Sequence, residues 1–96
     1  RLLLMDEPFK SLDLSLKWAL ITRFRQIWAA APRTVLLVTH DPKEALLLAH
    51  EIYVLSPKPT VIKGYYEVPL PWDEREPDAL PLLQLEQEIT AALIRE

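Results

Sequence analysis

The most constraining stretch is Leu2 to Met5, an uncharged apolar run that ends abruptly in two adjacent carboxylates, Asp6 and Glu7. Apolar residues without alternation leave no polar face, so the run predicts a strand buried on both faces, as in the centre of a parallel α/β sheet. In open sheets of that kind the carboxyl ends of the strands line the ligand crevice. Two carboxylates placed there can divide labour, one holding a metal ion and the other handling a proton or orienting a water. A strand that merely stops at a polar turn, with Pro8 ending the pairing, would look the same over these residues alone.

Residues 34–39, Thr-Val-Leu-Leu-Val-Thr, repeat the pattern and predict a second buried strand. Between the two runs a helix is expected from Asp13 to about Ala31, with Asp13 capping its first turn and Pro32 stopping it. Leu20, Phe24, Ile27 and Ala31 form its apolar stripe, which Trp18 and Trp28 widen as core residues, while Lys17, Arg23 and Arg25 point to water. Such a crossover is long enough for parallel pairing. Parallel strands would end on one edge and bring Asp6, Glu7 and His40 near one another.

Asp41-Pro42-Lys43-Glu44 then reads as a helix start, with Asp at the cap, Pro at the first position and Glu at the third, so Asp41 is structural. A short helix continues through Ala49, and residues 51–55 form a third strand. His50 is assigned no chemistry. Six of the nine prolines fall between Pro57 and Pro81, which leaves room only for short strands around 60–62 and 65–68. Tyr65 and Tyr66 are expected in hairpin packing. From Leu82 to about Arg95 the spacing of Leu82, Leu85, Ile89 and Leu93 is helical. The fold class is therefore α/β, a β-α-β-α-β parallel sheet followed by short strands and a C-terminal helix.

Composition narrows the function. Without cysteine there are no disulfides or thiolate metal sites. No apolar run approaches the roughly 18 residues that a membrane span needs, so the expectation is a soluble chain, at most peripheral to a membrane. Net charge is −3, but residues 1–66 carry nine Lys or Arg against six Asp or Glu, and residues 67–96 carry two against eight. That acidic tail argues against nucleic acid as the main partner. The single glycine, Gly64, excludes from these residues any phosphate-cradling G-x-x-x-x-G-K-[ST] or G-x-G-x-x-G loop. Because the sequence opens with Arg1 directly at a buried strand, it is expected to be the carboxyl-terminal piece of a longer protein.

Three motifs stand in order: Asp6-Glu7-Pro8 after the first apolar strand, Ser11-Leu12-Asp13 at the helix start, and Val38-Thr39-His40-Asp41 after the second strand. Together they resemble the ATPase subunits of ABC transporters, over about the first half of the chain. The resemblance implies the C-terminal part of a P-loop NTPase-like sheet, with residues 1–55 holding the Walker B strand, D-loop and switch histidine, and residues 56–96 a proline-rich extension. It implies that Asp6 holds a magnesium ion, that Glu7 polarises the attacking water through an unpaired carboxylate, and that His40 contacts the γ-phosphate of ATP. Asp13 would reach across to a second ATPase subunit, with capping its own helix as the competing role.

Further partners implied are transmembrane permease subunits and, indirectly, a substrate-binding protein, with the subunit cytoplasmic and peripheral on the inner face of the membrane. Residues 40–45 and 53–59 look like importers of the nitrate, sulfonate and taurine group, although Thr60 stands where a glycine usually follows Pro59. Lys10 stands where the family has a small residue. The phosphate loop, the glutamine-bearing loop and the Leu-Ser-Gly-Gly-type signature do not occur in these residues, so the isolated chain is expected not to hydrolyse ATP. Two other readings compete. A non-catalytic module docking through its sheet edge requires that the natural chain begin near Arg1; a DNA-repair or chromosome-maintenance ATPase would show long heptads and a basic surface.

Overall fold

The computed structural model describes residues 2–56 and 59–94, so Pro57, Lys58 and the expected helix end at Arg95 lie outside the described residues. The chain packs as two compact units, residues 1–40 and 41–96.

The first unit is a β-α-β unit: β1 (Leu2–Asp6), α1 (Leu14–Ala30) and β2 (Thr34–Val38). β1 and β2 pair in parallel, as expected, with Leu2 opposite Thr34 and Asp6 opposite Val38. α1 starts where the Asp13 carboxylate accepts a hydrogen bond from the Leu16 amide at 2.8 Å. It ends at Ala31, whose amide still donates to the Ile27 carbonyl; Pro32 follows and has no amide hydrogen to carry the ladder further.

Burial in this unit departs from the expectation in two ways. β1 and β2 form a sheet of their own, so their leucines are not enclosed: Leu2 is 66% exposed and Leu4 60% exposed. Among the described residues no third strand pairs with this sheet. The apolar stripe of α1 is also rotated by about one residue. Ile21 is its fully buried residue, whereas Ile27 is 53% exposed. Phe24 meets the buried Phe9 edge-on at 5.8 Å between centroids, and Trp28 at 5.5 Å. Neither tryptophan is core. Trp18 lies under the Arg25 guanidinium, 5.2 Å from its ring centroid, and the Trp28 indole donates to the Arg33 carbonyl. Both indoles are amphipathic enough to stay half-buried with their polar or π faces in use.

The second unit holds α2 (Pro42–Leu48), β3 (Glu51–Leu55), β4 (Ile62–Glu67), a 3₁₀ turn at Trp72–Glu74 and α3 (Leu80–Ile94). Asp41 caps α2 by accepting from the Lys43 amide, with Pro42 in the first turn. The third strand does not extend the parallel sheet. β3 pairs antiparallel with β4 in a separate sheet, because it alternates: Ile52 and Val54 are buried, while Glu51, Tyr53 and Leu55 face outward. The strand expected at 60–62 begins only at Ile62 and merges with the one expected at 65–68. Ahead of it the Ser56 hydroxyl donates to the Pro59 carbonyl and accepts from the Val61 amide.

Tyr65 pairs across the hairpin with Tyr53, centroids 4.9 Å apart. α3 buries Leu82, Ile89 and Ala92, so its stripe runs through Ala92 instead of Leu93. Arg75 was not singled out by its sequence context, yet it is 1% exposed. Its Nε donates to the Leu70 carbonyl, and its Nη1 donates to the carbonyls of Leu46 and Ala49 at the end of α2. The Trp72 indole adds a bond to the Leu48 carbonyl, and its ring stacks on His50 at 5.5 Å. These donors satisfy the carbonyls that a helix end leaves without intrahelical partners.

Candidate active site at the strand ends

Parallel pairing puts the carboxyl ends of β1 and β2 on one edge, and the ladder runs one step past the strands: the Glu7 amide donates to the Val38 carbonyl at 2.7 Å. The chain then turns sharply. Glu7 has φ 52° and Ser11 φ 71°, both in the left-handed region that L side chains seldom occupy. Bonds from the Lys10 amide to the Glu7 carbonyl and from the Leu12 amide to the Phe9 carbonyl close the turn between them. Non-glycine residues in that region concentrate at functional sites.

Glu7 is held at its side chain as well. Its Oε1 accepts from the His40 amide at 2.8 Å and lies 3.3 Å from the His40 Nδ1. The Thr39 side chain also hydrogen-bonds to this carboxylate. Partial burial pushes the Glu7 carboxyl up; the His40 side-chain bond, the His40 amide, the His40 charge and the Thr39 bond outweigh it and hold the carboxyl below its usual range. Glu7 is therefore a carboxylate at neutral pH. The unpaired carboxylate expected from the sequence is not found here: Oε1 is engaged, and further acceptor capacity remains on the group. The His40 side chain is 92% exposed, which leaves the ring open to a ligand.

Asp6 is exposed at the last position of β1, opposite Val38. Among the described residues no group of three or more His, Asp or Glu side chains could hold a metal ion by itself. One carboxylate fits magnesium, which takes one or two protein carboxylates and fills its octahedron with water and substrate phosphates; it does not fit a dedicated metal cage. Asp13 stands apart from this edge in role, with Oδ1 committed to the Leu16 amide. Sequence reasoning brought out Asp6, Glu7, Asp13 and His40 but passed over Thr39. The signal available was its place between a strand's last apolar residue and the histidine.

No protein-family model matches the chain. It is similar to several curated proteins. The nitrate import ATP-binding protein NrtD of Synechocystis sp. is 40% identical over 77 residues, which are 80% of this chain and 29% of that protein. The formylaminopyrimidine import ATP-binding protein ThiZ of Halalkalibacterium halodurans is 43% identical over 74 residues, 77% of this chain and 29% of the relative. The taurine import ATP-binding protein TauB of Pelagibacter ubique is 38% identical over 68 residues, 71% and 26% respectively. The match thus spans less than a third of each relative's length. Among the described residues no helix is long and apolar enough to cross a membrane. Over that span, the chain is similar in sequence to the ATP-binding proteins of ABC importers.

Proposed function

We propose that residues 1–96 belong to the ATP-hydrolysing subunit of an ABC-type importer, with residues 1–55 carrying the Walker B, D-loop and switch-histidine part of its ATPase domain and residues 56–96 a C-terminal extension. The observation that carries this reading is the shared edge: one parallel pair of strands ends in Asp6, Glu7 and His40, with Glu7 Oε1 2.8 Å from the His40 amide. Nucleoside triphosphate hydrolysis asks for positioning and charge neutralisation more than for covalent chemistry from the protein. Magnesium, when bound with ATP, supplies charge neutralisation at the phosphates.

In this reading Asp6, at the end of β1, would hold the ion. Glu7, ionised and fixed in direction, accepts a hydrogen bond from the attacking water and orients it. His40 keeps Nδ1 toward Glu7 and offers Nε2 to the γ-phosphate. Asp13 reaches toward a second ATPase subunit while capping α1. The subunit works as a dimer on the inner, cytoplasmic face of the membrane, bound to permease subunits and served indirectly by a substrate-binding protein, with no nucleic-acid role. The nitrate and taurine importers among its relatives support the importer class. Residues 1–96 alone do not hydrolyse ATP, since they contain no phosphate loop.

The test is a graft. The matched segment replaces its counterpart in the Synechocystis nitrate import protein, and phosphate release from magnesium ATP is measured. Retained hydrolysis that Glu7→Gln abolishes is expected. A folded, ATP-binding graft that releases no phosphate, or one indifferent to Glu7→Gln, refutes the reading. A second reading, a non-catalytic module docking through its open sheet, draws on the exposure of Leu2, Leu4 and Leu36; it predicts the inactive graft.

A further inference from the structure

The turn after β1 begins at a strained residue. Glu7 has φ 52°, although a residue before proline is pushed toward extended backbone, so two separate preferences oppose its conformation. Such strain persists only where the surroundings over-determine it. On one side β2 supplies that support: the Glu7 amide donates to the Val38 carbonyl at 2.7 Å, and its Oε1 accepts from the His40 amide at 2.8 Å. On the other side stands Phe9. Among the described residues of this turn, 7–13, Phe9 alone is buried, at 1% exposed. Its ring meets Phe24 of α1 edge-on, centroids 5.8 Å apart and planes at 77°. Phe9 also sits midway between Glu7 and Ser11, the two non-glycine residues with positive φ among those described. The bonds from the Lys10 amide to the Glu7 carbonyl and from the Leu12 amide to the Phe9 carbonyl overlap at residues 9 and 10, so the two tight turns interlock there.

We propose that Phe9 is a positioning residue for Glu7: its ring, seated against Phe24, pins the turn to α1 and keeps Glu7 in the left-handed conformation that aims its carboxylate at the His40 amide. This role rests on Glu7 being the group that orients the attacking water. Pro8 joins the two residues with its own φ fixed, which leaves few free torsions between the pinned ring and the Glu7 backbone. A side chain that fills the same space without the ring keeps the core apolar and loosens the pin. Glu7 then relaxes toward extended backbone, and its carboxylate loses the His40 amide.

The experiment compares Phe9→Leu with the unmodified 96-residue chain by NMR, using two measurements. The first is the amide-to-Hα distance within Glu7, which a positive φ makes short and which is expected to lengthen in the variant. The second is the ratio of the His40 to the Ile21 amide exchange rate, expected to rise by up to about tenfold as the edge-to-face pair is lost. A merely structural role speeds both amides alike and leaves that ratio, and the Glu7 distance, where they were. Either measurement unmoved overturns the proposal. Should Phe9→Leu lose its dispersed amide spectrum, Phe9→Met, whose flexible side chain fills the gap more readily, is judged by the same two measurements; a spectrum lost there too makes Phe9 a core residue only and overturns it. Neither measurement involves nucleotide, so a pin that passes while the graft releases no phosphate removes only the ATPase role of Glu7.

Discussion

Replacing Arg75 with methionine should cost the second unit most of its stability. The guanidinium donates to three carbonyls, Leu46 at 3.1 Å, Ala49 at 2.6 Å and Leu70 at 2.7 Å, in a place where Arg75 is almost wholly enclosed. Hydrogen bonds to a charged group contribute about 1.5–3 kcal/mol each, and a buried acceptor left unpaired costs about 1–3 kcal/mol. These do not simply add, because the three share one donor group. Methionine restores much of the apolar stem, which offsets about 1–2 kcal/mol. A net loss of about 3 kcal/mol follows.

At roughly 0.05–0.15 kcal/mol per residue, a unit the size of residues 41–96 holds only a few kcal/mol in total. Urea unfolding followed by far-UV circular dichroism and by the Trp72 signal should therefore find Arg75→Met largely unfolded at 25 °C. Arg75→Lys, whose compact ammonium cannot fork to three carbonyls, should fall between. An Arg75→Met unfolding free energy within about 0.5 kcal/mol of the unmodified chain would refute the reasoning, and would mean that water serves those carbonyls equally well.

Asp13→Ala removes an N-cap and should destabilise α1 by about 1 kcal/mol, whereas Asp13→Asn, which still accepts from Leu16, should stay close to the unmodified chain; equal losses by thermal circular dichroism would rule out capping as its structural job. Tyr65 should titrate above an ordinary tyrosine: burial, then the nearby Glu51 and Glu67 carboxylates and a hydrogen bond to Glu51, push its hydroxyl up. The neutral phenol is thus favoured by the fold, so this contribution is intact below the unfolded tyrosine value of about 10 and is lost as pH rises through the folded one. Ultraviolet titration of tyrosinate should show the late component move down in Glu51→Gln/Glu67→Gln; an unchanged curve would contradict the assignment.

Much of the site was legible before the fold. Two apolar runs without alternation, joined by a capped helix, admit few pairings other than parallel, and parallel pairing alone carries Glu7 to His40. What escaped was decided by tertiary packing. Ile21 outranks Ile27 because Phe9, from the turn, sets which side of α1 is enclosed with Phe24, and periodicity cannot resolve one residue of rotation. β3 left the parallel sheet because Tyr53 and Glu51 alternate with Ile52 and Val54, a pattern that was present in the sequence and outweighed by the β-α-β-α-β expectation. Arg75 carried no local signal: an arginine among prolines and acids reads as solvated until the open end of α2 is seen beside it. The left-handed Glu7 was equally silent, since nothing in Asp-Glu-Pro marks a non-glycine residue for that conformation.

The hold of β2 on Glu7 has a genetic corollary. Side chains on a strand swap faces with every residue of slippage, so inserting or deleting one residue in the short connection at 31–33 would offer Glu7 the wrong carbonyl, the wrong hydroxyl and the wrong amide all at once. Point changes in that connection should be forgiven. Length changes should not, and a library of one-residue indels across it would separate the two classes cleanly.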